Sequence, residues 1–245
     1  REVAAAPSRT VLPRHTTRHV VAAGAGGVLA GAFCDLKGRV MADFCAAIVR
    51  DDHILLRTDT EVANYLQSHL QKYLMFSKTR MTASKLSVWA CRENADSDSN
   101  SVSESKVTVI RNGEFAEVWC QEDPRPQVVI DASTYHANRL THGEARVRSA
   151  TMGKYLPQDL NFDINGLIDF DKGCYTGQEI IARVHYRGQP KRRLRLLTLA
   201  SQNADVAGAK ILSVEGTSIG TVGECTAPGD ESLWRVANGI CQDRE

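Results

Sequence analysis

The stretch Asp169–Leu194, DFDKGCYTGQEIIARVHYRGQPKRRL, carries the most chemistry per residue in the chain. Within it, Cys174 stands between a Lys172-Gly173 pair and the run Thr176-Gly177-Gln178-Glu179. Thr176-x-x-Glu179 has the spacing of a capping box, in which the Thr176 hydroxyl accepts from the Glu179 N–H and Glu179 reaches back to the Thr176 N–H. Tyr175 before the cap and Ile180 after it have the spacing of a hydrophobic staple. Ile180, Ile181 and Val184 continue as an apolar face, so a helix is predicted from about Thr176. Cys174 then lies just ahead of a helix N-terminus, where unpaired N–H groups and partial positive charge stabilise a thiolate. Lys172 adds a second positive group, and both lower a thiol pKa from about 8.5. Gly173 and Gly177 permit close backbone approach or unusual dihedrals. A free cysteine is more often a small buried hydrophobe, but this setting favours a reactive thiol presented on a tight turn. A Cys-His enzyme needs a base within hydrogen-bond reach. His185 lies about three turns down the same helix, too far to serve. His136 and His142 reach the thiol only if the fold brings them there.

Outward from this segment, the chain is ordinary globular protein: 245 residues, 42% hydrophobic, 24% charged and a net charge of +1. That near-neutral balance selects neither nucleic acid nor a membrane surface as partner. No stretch approaches the roughly 18 apolar residues of a membrane span. Seven scattered cysteines with no C-x-x-C fit reduced thiols in a cytosolic or organelle-matrix protein better than a disulfide framework or a zinc site. The chain opens on Arg1, and up to Cys34 it holds one acid, Glu2, against four arginines. That composition is similar to a transit peptide. A poorly ordered or truncated N-terminus is the favoured expectation.

Residues 27–58 read as a meander of three strands broken at Asp35–Gly38 and Arg50–Asp52. Asp59 or Thr60 caps a helix whose apolar face is Val62, Leu66, Leu70, Tyr73 and Leu74. TASKLSVWA returns to strand, and the Ser/Asp/Asn-rich residues 93–106 form a solvated loop. Asn112-Gly113 between KVTVI and FAEVWC predicts a hairpin with a type I′ turn. QVVIDAS is a further strand, followed by a short helix near 132–142. Mixed strands and helices give an α+β fold. After residue 190, short strands broken by Gly, Pro and Asp predict a small β-barrel. The expected division is 1–190 and 191–245, with the C-terminal module cut short.

DKGCYTGQE closely resembles the signature of the YgfZ-type folate-binding proteins, relatives of the glycine cleavage T protein. FCDLKGRV, LQKYLMFSK and GKYLPQDLNFD resemble further blocks of that family in order and spacing. The resemblance runs from about Ala32 to the end and is most specific at 153–195. It implies a T-protein-like folate-binding domain with a C-terminal β-barrel. It implies a tetrahydrofolate-binding factor in iron–sulfur cluster assembly or repair, supporting iron–sulfur enzymes including those that modify tRNA. The cofactor is then tetrahydrofolate or another reduced folate. The partners are Fe–S assembly proteins and Fe–S client enzymes. The family cysteine falls on Cys174, as a reactive or cluster-contacting thiol able to ligate an Fe–S cluster transiently. Bacterial cytoplasm is the implied location, with the mitochondrial matrix as alternative. True T proteins carry an acidic residue or proline and then Phe-Ile-Gly where this chain has Cys174-Tyr175-Thr176-Gly177. That departure argues for a binding factor rather than an aminomethyl transferase, which stays the rival reading. The family's N-terminal Gly-Gln-x-Thr-x-Asp stretch is not recognisable here. Its second folate-contacting aromatic falls by spacing on Tyr135.

Six cations and no acid lie between Ile180 and Ala204: Arg183, Arg187, Lys191, Arg192, Arg193 and Arg195. Alternation in KRRLRLLTL favours a strand with a solvated basic face. Arg183 and Arg187 stay open as a dock for a folate glutamate tail or for RNA phosphates. An RNA-binding accessory protein is thus the third reading, although direct nucleic-acid binding is not expected. Gln158 and Asn161 offer amides that suit pterin edges, or equally cap a loop.

Overall fold

The computed structural model describes residues 2–5, 12–75, 77, 79–92, 100–110, 115–122, 129–200, 208–226 and 234–242. Strands β1 (Glu2–Ala5), β2 (Val28–Cys34), β3 (Val40–Arg50), β4 (His53–Arg57) and β5 (Met81–Ala83) form one sheet, in the order β2-β3-β4-β1-β5. The meander is present as read. Its first turn is closed by Asp35, whose carboxylate accepts from the N–H groups of Lys37 (2.9 Å) and Arg39 (2.8 Å). Gly38 there has φ +72°, a left-handed conformation that favours glycine. The N-terminus differs from expectation. Val3 pairs with both Leu56 and Ala83, so β1 fills a slot between β4 and β5 that no neighbouring segment supplies. A short helix α1 (Leu12–His15) follows it, with Leu12 in the core.

Helix α2 (Thr60–Leu74) is capped by Asp59, which accepts from the Glu61 N–H. It buries Val62, Leu66, Leu70 and Leu74 against Phe33, Phe44 and Leu56 of the sheet. Strand β3 is buried on both faces, which explains its nearly unbroken apolar run. Phe44, Ala46 and Ile48 face α2, while Cys45 and Ala47 face a second core with Val107 and Trp119. That core belongs to a second sheet of β6 (Ser87–Arg92), β7 (Ser101–Val102), β8 (Lys106–Ile110) and β9 (Phe115–Cys120), in the order β6-β9-β8-β7. TASKLSVWA therefore splits between two sheets. The polar loop is not structureless throughout, because β7 pairs with β8. The predicted hairpin is formed by β8 and β9, while its Asn112-Gly113 turn lies outside the described residues. Of QVVIDAS, Gln127 and Val128 also lie outside them, and Val129 makes an isolated bridge to Cys91.

Helix α3 (Ala132–Thr141), capped by Asp131, is followed by a long irregular stretch with one 3₁₀ turn at Pro157–Leu160. Helix α4 (Gln178–Arg187) ends it. Val147, Tyr155, Phe162, Tyr175 and Ile181 pack there with Cys34 and Val40, and with Leu194 and Ile240 of the last sheet. That sheet holds β10 (Arg192–Ala200), β11 (Lys210–Leu212), β12 (Ser218–Thr226) and β13 (Trp234–Gln242), all antiparallel, in the order β10-β13-β12-β11. The result is a mixed α+β fold of antiparallel sheets. Among the described residues no helix is long and apolar enough to cross a membrane.

Candidate functional site

The predicted helix exists, but it starts later and its cap is different. The N-cap is Gly177 at φ +81°, with no side-chain capping bond, so the Thr176–Glu179 capping box is not formed. The cause is a close approach of backbones. A Cβ at Gly177 would lie 2.4 Å from the Asp35 carbonyl oxygen and 2.8 Å from the Gly38 Cα. The two glycine turns interlock, and Gly177 must take the left-handed conformation to admit the Asp35–Gly38 turn. Thr176 is swung toward α1 instead. Its N–H donates to the Arg14 carbonyl at 3.0 Å, and its hydroxyl lies 3.2 Å from His15 Nδ1. Gln178 opens the helix half-buried, and Glu179 is exposed in its first turn. Tyr175 is no staple either. Its ring is in the core with Cys34 and Ile181, and its hydroxyl is buried without a hydrogen-bond partner. Burial, with Cys34 and Asp169 nearby, pushes its pKa up.

Lys172 does not touch the thiol. Its Nζ donates to the carbonyls of Pro13 (2.5 Å) and Thr16 (2.6 Å) and sits 4.8 Å over the Tyr175 ring. The ammonium thus closes the C-terminal end of α1. Burial, partly offset by Asp169, lowers its pKa from 10.5 to about 8. Cys174 itself is exposed. Of the seven free cysteines, Cys225 and Cys241 are half-buried and the other four are buried. Gly173 beside it faces open space. The thiol stands in an open cleft of about 620 Å³ whose opposite wall is Pro13, Arg14 and His19. Those three residues were missed in the sequence, where the only signal was an acid-poor N-terminal segment. His185 stacks on Phe170 at 3.7 Å. His136 lies 3.7 Å from Glu224, and His142 bonds to the Asn138 carbonyl at 2.8 Å, so neither is a cleft residue.

A second site lies between the first sheet and the irregular stretch. Glu117, fully buried on β9, accepts two hydrogen bonds from Arg57 (both 2.9 Å) and one from Arg146 (2.6 Å). Arg57, Arg146, Asp43, Phe44 and Phe162 line an adjoining cavity of about 260 Å³. Asp43 Oδ1 also accepts from the Val147 N–H at 2.7 Å. An acid inside the apolar strand FAEVWC was the sequence signal for Glu117, since a carboxylate is buried only when paired.

Tyr135 and the amide nitrogens of Gln158 and Asn161 have partners within the protein, while the Gln158 and Asn161 amide oxygens are buried without one. Tyr135 is buried, its hydroxyl donates to Glu117, and Arg139 lies 6.0 Å from its ring. The Gln158 amide donates to the Ile181 carbonyl (2.8 Å) and the Asn161 amide to the Leu194 carbonyl (3.0 Å). Arg183 is exposed on α4. The basic run is not wholly solvated: Arg192 pairs with Asp159 at 3.2 Å and Arg193 with Asp163 at 2.6 Å. No group of side chains able to hold a metal ion occurs among the described residues.

Comparison with known proteins gives the geometry its context. The chain is 29% identical over 204 residues to the tRNA-modifying protein YgfZ of Vibrio atlanticus (strain LGP32), covering 76% of this chain and 61% of that protein. It is 28% identical over 232 residues to the tRNA-modifying protein YgfZ of Aliivibrio fischeri (strain ATCC 700601 / ES114), covering 84% and 70%. The chain is similar to the YgfZ proteins over most of its length. It spans about 61–70% of the length of the YgfZ proteins it matches. No protein-family model matches it. Its fold is that of the glycine cleavage system aminomethyltransferase T from Bartonella henselae, with a TM-score of 0.70 at 15% identity, covering 98% of this chain and 75% of that one.

Proposed function

We propose that this chain is a tetrahydrofolate-binding accessory factor that supports iron–sulfur proteins, including enzymes of tRNA modification, with Cys174 as its working thiol. The observation that carries this reading is that Cys174 is exposed at an open cleft while four of the other six cysteines are buried. The relatives' role in tRNA modification and the shared fold agree with it. Among the described residues lining the cleft there is no carboxylate, and the imidazole there, His19, is exposed. Such a thiol suits ligation or redox exchange better than repeated acyl or methylene transfer. A thiolate here supplies one ligand to an iron–sulfur cluster carried as cargo, and a second protein completes the coordination. Lys172 positions the cleft wall through its two carbonyl bonds and lends positive charge across it.

The residues of the Asp43 cavity fit a reduced pterin. Two carboxylates, Asp43 and Glu144, two guanidinium groups and the rings of Phe44 and Phe162 match a flat heterocycle with mixed donors and acceptors. Bound there, the folate supplies a one-carbon carrier, while Asp43, Arg57 and Arg146 orient it. A soluble bacterial location in the cytoplasm is part of this reading. Calorimetry with tetrahydrofolate, beside complementation of Fe–S enzyme activity in cells, tests it. Asp43→Asn is expected to weaken folate uptake. Cys174→Ala is expected to retain uptake and lose complementation. A Cys174→Ala variant that complements fully removes the thiol from the mechanism. The shared fold keeps one rival, an aminomethyl transferase; catalytic formation of methylenetetrahydrofolate by the wild type would establish that rival instead.

A further inference from the structure

A row of rings runs along one margin of α2 and ends at the Cys174 cleft. Tyr65 and His69 stack with centroids 5.7 Å apart and planes 19° off parallel. Tyr73 lies 5.9 Å beyond His69, and His15 of α1 adds a fourth ring 4.2 Å from Tyr73. Helical neighbours at four-residue spacing meet in this way. These rings are not hidden in the core: Tyr65 and Tyr73 are each 37% exposed. His15 Nδ1 lies 3.2 Å from the Thr176 hydroxyl, and the adjacent Arg14 is a wall of the cleft.

Cations stand at the Tyr73–His15 end of the row, while Glu61, exposed four residues before Tyr65, stands at the other end. Lys72 Nζ sits 4.9 Å over the Tyr73 ring, and Arg14 is exposed beside His15. No Asp or Glu occurs from Val3 to Cys34 or from Val62 to Arg92, the two segments that build the row. Both imidazoles are held below their ordinary pKa, His15 by burial, His69, Lys72 and Arg14, and His69 by burial and Lys72. At neutral pH they present ring faces rather than charges.

Partly exposed rings with cations at one end of their row are what an unpaired nucleic-acid strand can use. Every base has a π face to stack, and each phosphate needs a positive partner. We propose that the Tyr65–His69–Tyr73–His15 row is a stacking platform for single-stranded RNA, bound along α2 with Arg14 and Lys72 on its phosphates and one end at the Cys174 cleft. The choice of RNA over DNA rests on the tRNA-related role proposed above. The rings and charges themselves are independent of folate.

Fluorescence anisotropy with labelled single-stranded RNA, single-stranded DNA of the same sequence and duplex RNA tests the proposal. Wild type is expected to bind the single-stranded RNA most tightly. Tyr65→Ala/Tyr73→Ala is expected to weaken that binding about 10-fold or more, as the loss of stacked bases does. Tyr65→Phe/Tyr73→Phe keeps the ring faces and is expected to bind like wild type. Lys72→Gln is expected to reduce the slope of log affinity against log salt by about 0.7, one phosphate contact. Tetrahydrofolate uptake by the double alanine variant is expected to be unchanged, which separates failure here from failure of the folate reading. Duplex RNA bound as tightly as the single strand, DNA bound as tightly as RNA, or full affinity in the double alanine variant each overturns the assignment.

Discussion

The Asp43 cavity and the Cys174 cleft differ in what fixes their walls. The cavity borders a carboxylate with no exposure, Glu117, held by two arginines and a tyrosine hydroxyl. The Glu117 charge is compensated by side chains, and removing it leaves Arg57 and Arg146 without that partner. The cleft is held by backbone: Lys172 on two carbonyls, Thr176 on the Arg14 carbonyl and Gly177 against the Asp35–Gly38 turn. Its Arg14, His19 and Cys174 side chains are exposed. A site built from buried charge tolerates little change, whereas a site built from interlocked backbone leaves its functional side chain free to be changed at small structural cost.

Breaking the first arrangement gives the largest expected effect. Glu117→Gln strands Arg57 and Arg146, and loss of one partner of a buried ion pair costs about 3–5 kcal/mol. Denaturant unfolding reads that as a lowered midpoint, and calorimetry with tetrahydrofolate reads a weakened cavity. A variant within about 0.5 kcal/mol of wild type would mean that water or rearrangement replaces the carboxylate. The next largest effect falls on the backbone of the cleft. Gly177→Ala forces an alanine into the left-handed region and a methyl group 2.4 Å from the Asp35 carbonyl oxygen. The conformational part alone costs about 1–3 kcal/mol, and the Cys174 alkylation rate is expected to change with it.

A smaller effect concerns pH. With Lys172 at about 8 in the folded protein and 10.5 as its ordinary value, the unfolded chain holds the extra proton between those limits. Stability therefore rises through this group as pH climbs from about 8 to 10.5. Lys172→Met is expected to flatten that rise in denaturant melts across the window, and an unchanged slope would assign it to other groups. The smallest effect is at the thiol. Cys174→Ala removes an exposed side chain, so stability is expected to move by less than about 0.5 kcal/mol. Mass-spectrometric labelling of the wild type is expected to find Cys174 alkylated first among the seven cysteines.

The same contrast marks what could be read from the sequence. The meander, the α2 face with its Asp59 cap and the β8–β9 hairpin were legible because each is a local pattern of period, cap or turn. The presentation of Cys174 was legible, but its cause was not. Thr176-x-x-Glu179 satisfies the capping spacing, yet a turn far away in sequence takes the position that the cap needs. Sequence does not show a side chain's partners: Glu117, Ile181 and Leu194 accept from the Tyr135 hydroxyl and the Gln158 and Asn161 amide nitrogens, while the two amide oxygens are buried without a partner.

The sequence by itself determined the β2–β4 meander, the α2 face, the β8–β9 hairpin and the exposed cysteine's place on a glycine turn. These depend on neighbours within a few residues, where backbone geometry dominates. Only the tertiary structure decided that β1 closes the first sheet, that Pro13, Arg14 and His19 form the other wall of the thiol cleft, and that Glu117 is shared by Arg57 and Arg146. Those arrangements are set by burial and charge compensation between segments distant along the chain. Such pairings are fixed only when the core excludes water and a buried charge must find its partner among the segments packed against it.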